Sequence, residues 1–468
     1  RLGQFVLASP SSSGIARMTT TPKAAEEREL ARSLGLAARA SMECGALARA
    51  SGGEPSGYRR AATFPPEGPR SPTRLLKGGA CRKPSNLEAE GVAGILLHPL
   101  CLLLLCLPFG WAARYGEWGE VWVFWLNFFG MIPLAKILGD ATEELAAALR
   151  NDMLAGLLNA TFGNVVELVL VVQSLRQGLF EVVKATLLGS VLSNMLLVLG
   201  MSFFFGGIVG GRGGKAGGDE ECGGLVSEKV QRFQVLGAMV NVSMLLLACL
   251  SFVTMTVFWE LARGADGASP GLLPVSRASA AVVGSSYVAY VVFQLGTHRQ
   301  TLQEEDEEEE EEPKLSVRAS CALLLATTVL VAASSELLVE AIRGVVQGAH
   351  LGQHFIGIVL LPIIGNACEH AAAVRFAMRD KLGLSIGIAV GSSTQIALFA
   401  APFSVLAGWG MGLPVDLNFG ALNTSVMTLS VIVVMSMVVN GQSNWLQGYL
   451  LMAAYAVVAI CYWHLPNY

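Results

Sequence analysis

Two short segments carry a carboxylate where the surrounding chain is fit for a lipid bilayer. Gly163-Asn164-x-x-Glu167 lies in "NATFGNVVELVL", and Gly365-Asn366-x-x-Glu369 lies in "LLPIIGNACEH". An Asn and a Glu three residues apart share one face of a helix, so each segment aims an amide oxygen and a carboxylate at a common spot. Both groups are hard oxygen donors. Calcium takes six to eight such oxygens from carboxylates, amides, backbone carbonyls and water in a flexible arrangement. Gly163, Gly365 and Pro362 are expected to break the helices and free backbone carbonyls as further ligands. On the next apolar segment of each half, Gly189-Ser190 continues through Ser193 and Asn194, and Gly391-Ser392 through Ser393 and Gln395. These supply hydroxyl and amide oxygens. No thiolate or imidazole set accompanies them, which disfavours zinc or copper.

A charged carboxylate at the bilayer midplane costs a few kcal/mol at least, roughly 3 kcal/mol on insertion scales, so Glu167 and Glu369 are functional candidates. Ser190, Ser193 and Asn194 taken singly have a plainer reading, because small polar residues commonly join membrane helices. His370 follows Glu369 but points about 100° away on a helix, so packing and proton handling both stay open for it. Glu143, Glu144, Glu336 and Glu340 fall toward the ends of apolar runs, which suggests an interfacial place, with a gate or proton relay as the alternative.

The elements that must position these groups follow from hydropathy. The chain has 468 residues, 53% apolar and 15% charged, with a mean hydropathy of +0.53. That is too oily and too sparsely charged for a soluble enzyme. Apolar runs near 92–113, 120–138, 153–175, 185–210, 231–257, 275–297, 316–342, 354–378, 384–407, 418–439 and 446–464 predict about eleven transmembrane helices in an all-α polytopic membrane protein. Barrel strands are excluded by run length.

Internal repetition organises the spans. The Gly-Asn-x-x-Glu motif and the Gly-Ser pair both recur at an offset of 202 residues. Setting the first span aside leaves two blocks of five. Five is odd, so the second block enters the membrane with the opposite orientation, as in transporters with a midplane site between inverted repeats. The expected organisation is a disordered basic tail over 1–90, the extra helix and first repeat over 91–297, an acidic linker over 298–315 and the second repeat over 316–468. Within the linker, Glu304 to Glu312 is an unbroken acidic run that repels itself and stays solvated. Arg150, Arg212, Lys215, Lys229, Arg232, Arg299, Lys314, Arg379 and Lys381 fall on the tail's side, against Arg114, Arg176, Lys184, Arg263 and Arg343 opposite. This bias places tail and linker in the cytosol. The tail itself reads as a connecting, transit or regulatory segment. The nine cysteines form no Cys-x-x-Cys pair, and Cys101, Cys106, Cys249, Cys321 and Cys461 read as small buried apolar residues.

"GLLNATFGNVVELVL" followed by "KATLLGSVLSNMLLVLGMSFFFGG", and "FIGIVLLPIIGNACEHAAAVRFAMRDKLGLSIGIAVGSSTQIALFAAPFSVLAGW", resemble the two signature repeats of the cation/proton exchanger branch of the calcium/cation antiporter superfamily. The resemblance runs from about residue 92 to 464 and leaves out the tail. It implies proton-driven export of cytosolic calcium into an acidic compartment, usually the vacuole. On the matching positions Glu167 and Glu369 would bind calcium and accept protons, with Asn164, Asn366 and Gln395 as oxygen donors beside Ser190 and Ser392. Members preferring manganese, and exchange against sodium or potassium, remain alternatives. A third proton would first be sought at Glu336 or His370.

The expected substrates are Ca2+ and H+, the expected surroundings the bilayer, with no cofactor and no nucleic-acid partner; a homo-oligomer is left open. An intramembrane metalloenzyme would need an activated-water set such as His-Glu-x-x-His, and the sequence has none. A passive channel gains nothing from duplicated titratable sites. Two carboxylates facing each other out of water cannot both stay ionised without a cation. Calcium or protons must therefore occupy them in turn.

Overall fold

In the computed structural model, the described residues are 84–149, 151–209, 229–264, 269, 271–298, 313–348 and 351–465. The sequence before Pro84 and the acidic run Glu304 to Glu312 lie outside them. The helices are α1 Pro84–Leu96, α2 Cys106–Tyr115, α3 Glu120–Leu149, α4 Asp152–Phe162, α5 Val165–Arg176, α6 Phe180–Val209, α7 Val235–Ala262 and α8 Leu272–Thr297. The second half continues with α9 Val317–Gly348, α10 Gln353–Gly365, α11 Ala367–Met378, α12 Leu382–Gly410, α13 Ala421–Val438 and α14 Trp445–Trp463. The strands β1 Gln231–Arg232 and β2 Gln442–Ser443 pair antiparallel, Gln231 opposite Ser443.

Among the described residues, eight helices are long and apolar enough to cross a membrane, or ten if each sharply bent pair counts as one span, so the exact count of eleven is not confirmed. The expected span 153–175 is instead two short helices, α4 and α5, parted at Gly163 and Asn164. The expected span 92–113 is bent by 71° between α1 and the 3-10 turn Pro99–Leu105 that leads into α2. Pro99 lacks an N–H and pushes His98 out of the helical region, to ψ 141°. Helix α1 also begins inside the segment expected as tail, at Pro84.

The ends of α3 and α9 exceed the apolar runs. At 30 residues α3 is about 45 Å long, more than the bilayer core of about 30 Å. Where the apolar run ends, Lys136 pairs with Asp140 one turn later, so charge is matched on the helix surface where hydropathy fails. Of the cysteines, Cys101 and Cys249 are buried, whereas Cys321 and Cys461 are exposed, contrary to expectation. The outer face of a membrane bundle is apolar too, so a small apolar residue serves there equally well.

The leading helices of the two repeats lie antiparallel. A Cβ at Gly344, near the end of α9, would collide with Glu120 at the start of α3. At the other end, Glu144 of α3 accepts the N–H groups of Lys314 (2.9 Å) and Leu315 (3.1 Å), just before α9. Pairing start with end is what inverted repeats require. Buried apolar residues form one cluster around α3, α5 and α9, including Phe124, Met131, Leu138, Leu338 and Ile342. A second fills the space around α6, α7 and α12 to α14.

Candidate cation site between two broken helices

Helix α11 starts and ends 202 residues after α5 does, so the motif offset is an offset of whole elements. Each element begins in the middle of the bundle after a break at Asn164 or Asn366. Pro362 sits in the last turn of α10, where a π-turn, Ile356–Leu360, has already loosened the ladder. Neither Asn caps its helix with its side chain, which leaves both amides for other partners. Glu167 and Glu369 fall in the first turns of α5 and α11. A helix N-terminus carries partial positive charge, so a midplane carboxylate is placed where the backbone itself favours an anion.

The two carboxylates are not held alike. Glu167 is 2% exposed, and neither of its oxygens has a hydrogen-bond partner. It lies against the backbone of Gly365, where any Cβ would collide with its carboxylate. Glu369 is half-buried and accepts a 2.8 Å hydrogen bond from Asn194 Nδ2. The same amide nitrogen donates to Ser392 Oγ at 3.0 Å, and Ser392 Oγ donates to Asn164 Oδ1 at 3.2 Å. Asn366 Nδ2 donates to the carbonyl of Ser190 at 3.3 Å. Gln395 is buried one turn after Ser392 on α12, on the same face. These bonds join α5, α6, α11 and α12 in one polar centre inside an apolar bundle.

Four further atoms in this centre are buried without partners: Asn366 Oδ1, Asn194 Oδ1, Ser190 Oγ and, one turn earlier on α6, Thr186 Oγ1. With the two oxygens of Glu167 they form a set of orphaned acceptors, each of which costs about 1 to 3 kcal/mol when left unpaired. A cation satisfies several of them at once. Only two carboxylates share the centre, and no group of three or more His, Cys, Asp or Glu suited to a metal occurs among the described residues. Two negative charges with neutral hard oxygens match one divalent ion.

The remaining candidates are placed differently. His370 Nε2 lies 3.1 Å from Ser193 Oγ, so the imidazole ties α11 to α6 beside the carboxylates. Glu336 is half-buried on α9. Glu340 is engaged by Arg114 and by Gln177, each at 3.4 Å, which binds α2 and the α5–α6 turn to α9. Asn194 is the residue whose importance sequence reasoning undervalued. Its repeat-equivalent is Ile396, so the symmetry that singled out the glutamates argued against it.

The helices pack more tightly around one end of the centre than around the other. Helix α10 is wedged onto α6: a Cβ at Gly189 would strike the backbone of Ile358, and one at Gly357 would strike Ala185. Its counterpart α4 packs instead on α3 and against Leu295 of α8 through Gly156. Among the described residues, a Cβ added at Gly383, Gly387 or Gly391 of α12 would meet nothing within 4 Å. The more open end is therefore the one where α4 and α12 begin, at Asp152 and Leu382.

Paired carboxylates in an oxygen-rich midplane centre, reached from one end of an inverted repeat, define a membrane carrier of cations. The family described as sodium/calcium exchanger protein matches residues 119–296 and 319–463. The chain is 38% identical over 414 residues to vacuolar cation/proton exchanger 5 of Arabidopsis thaliana, covering 86% of this chain and 89% of that one. It is 38% identical over 384 residues to a Ca(2+)/H(+) antiporter of Synechocystis, covering 79% and 97%. Among solved structures, that of native YfkE superposes with a TM-score of 0.64 at 31% identity, covering 78% of this chain and all of that one. The chain belongs to the sodium/calcium exchanger protein family, in its cation/proton exchanger branch.

Proposed function

We propose that this protein is a secondary antiporter that moves cytosolic Ca2+ into an acidic compartment in exchange for luminal H+. The observation that carries the reading is the buried carboxylate of Glu167, without a hydrogen-bond partner and facing a second, amide-held carboxylate across the repeat interface. The names of relatives, vacuolar cation/proton exchangers and a vacuolar calcium ion transporter, agree with it. The positive-side bias of the sequence supports a cytosolic position for the open end, where Arg379 and Lys381 lie just before α12.

Calcium arriving from that end meets the half-buried Glu369 first, then Glu167. Asn164, Asn366, Asn194, Ser190, Ser392 and Gln395 provide neutral oxygens. With both carboxylates ionised, the divalent ion is balanced; with both protonated, the site is neutral. Each of these two states can cross between the open ends without stranding a charge, whereas two bare carboxylates cannot. That restriction is the coupling. One pH unit supplies about 1.4 kcal/mol per proton, so two protons over two units provide between about 5 and 6 kcal/mol per calcium ion.

The test is calcium uptake by the reconstituted chain in sealed vesicles with an imposed proton gradient, acid inside. Uptake that collapses when the gradient is discharged by a protonophore is expected. Uptake that persists unchanged would contradict the assignment.

A further inference from the structure

Helix α8 carries a single charged residue, Arg277, in the second turn after its start at Leu272. An arginine within a membrane span requires an anion or backbone carbonyls as partners. Among the described residues Arg277 has neither an ion pair nor a hydrogen bond. At this end of the bundle Glu260 is taken by Arg263, and Asp416 by Lys184. The guanidinium lies 5.1 Å from the ring centroid of Trp409, near the end of α12. Its Nε is buried without a partner, whereas the two Nη groups are unpartnered at the surface. The ring beneath them is 56% exposed. Helix α14 is the counterpart of α8 in the second repeat, and its sixth residue, Leu450, is exposed and apolar. The repeat therefore does not call for a charge at the sixth residue of α8.

The protein walls Arg277 on one side. Two turns deeper, a Cβ at Gly284 would touch Pro402 of α12 at 3.7 Å, and Leu417 N–H, in the loop after α12, donates to Ser276 Oγ at 3.3 Å. Around Trp409 the surface is apolar and exposed, at Leu406 and Met411, as suits a lipid boundary. We infer that this crevice binds the phosphate of an anionic phospholipid, taken from the leaflet at the Leu272 end of α8. The indole face holds the guanidinium flat, and the two Nη groups form a fork that matches two oxygens of a phosphate. The charge of Arg277 has no counter-charge on the protein, so the crevice favours a headgroup of net negative charge over a zwitterionic one, whose phosphate is already balanced. A free phosphate ion offers the same oxygens but has no acyl chains to cover Leu406 and Met411. The bound lipid joins the outer ends of α8 and α12, the helix that also carries Ser392 and Gln395. This site is independent of the antiport reading.

The experiment is native mass spectrometry of the full chain in detergent, with phosphatidylglycerol and phosphatidylcholine of the same acyl chains supplied in equal amounts. The chain is expected to retain phosphatidylglycerol in preference to phosphatidylcholine by at least about tenfold, as charge-assisted hydrogen bonds to one headgroup allow. Arg277→Leu places a lipid-compatible side chain at a lipid-facing position and is expected to carry one phosphatidylglycerol fewer per chain. Arg277→Gln, polar but uncharged, is expected to lose the same one. Phosphatidylglycerol is also expected to raise the unfolding temperature of the unaltered chain but not of either variant, whereas inorganic phosphate at the same concentration raises neither. Equal retention of the two lipids, or variants that carry as much phosphatidylglycerol as the unaltered chain, would overturn the site. Protection by inorganic phosphate equal to that by the lipid would overturn its assignment to a phospholipid.

Discussion

Glu167 and Glu369 share a motif but not an environment. Glu369 is restrained by the amide of Asn194, whereas the position equivalent to Asn194 in the second repeat is Ile396. Glu167 has only the glycine backbone beside it. Replacing either carboxylate by the amide of equal volume removes half of the countercharge and the proton acceptor. Glu167→Gln and Glu369→Gln are each expected to insert and fold normally but to reduce calcium uptake to background, as read by flux and by size-exclusion profile. Near-normal uptake by either variant would remove that residue from the site. Asn194→Leu leaves both carboxylates in place but strips Glu369 of its donor. Losing a hydrogen bond to a charged group costs about 1.5 to 3 kcal/mol, so apparent calcium affinity is expected to fall roughly 10- to 150-fold. Both glutamates stand out in the sequence because a carboxylate in an apolar run is expensive. Asn194 does not, because a lone Asn in a membrane helix has an ordinary role as glue.

At the scale of elements, sequence gave away the breaks and their shared offset, but not where the helices end or how they lean. Helix α3 runs to Leu149 because ion-paired polar turns continue a helix that hydropathy ends early. The unequal packing of α4 and α10 could not be read at all. A repeated sequence is nearly symmetric, whereas any one conformation of an alternating carrier is not. One buried cross-repeat contact is testable directly. Lys184 of α6 pairs at 2.9 Å with Asp416 in the loop before α13, with side chains 11% and 18% exposed. Removing one partner leaves a charge without compensation, worth about 3 to 5 kcal/mol. Lys184→Met is expected to lower the unfolding temperature in detergent, and the double variant with Asp416→Asn to recover most of the loss. A loss in the double variant equal to the sum of the two single losses would show that the pair is uncoupled.

For the whole molecule, two apolar clusters and an antiparallel α3–α9 pair carry a small polar centre whose charge must be neutralised before the bundle can rearrange. The acidic run Glu304 to Glu312 lies outside the described residues. Replacing it with a Gly/Ser linker of equal length is expected to change apparent calcium affinity at most about threefold. Complete loss of transport in a correctly inserted chain would contradict that.

The central claim is that one pair of carboxylates binds calcium and protons in turn. It is tested most directly by calcium flux in reconstituted vesicles, with internal and external pH set independently and the membrane potential clamped by a potassium ionophore. Competition for a shared site predicts that acidifying the luminal side accelerates uptake and that acidifying the cytosolic side inhibits it. A sodium gradient should do neither, because a monovalent ion balances only one of the two carboxylates. Uptake driven equally well by sodium at matched pH, or insensitive to both gradients, would contradict the account.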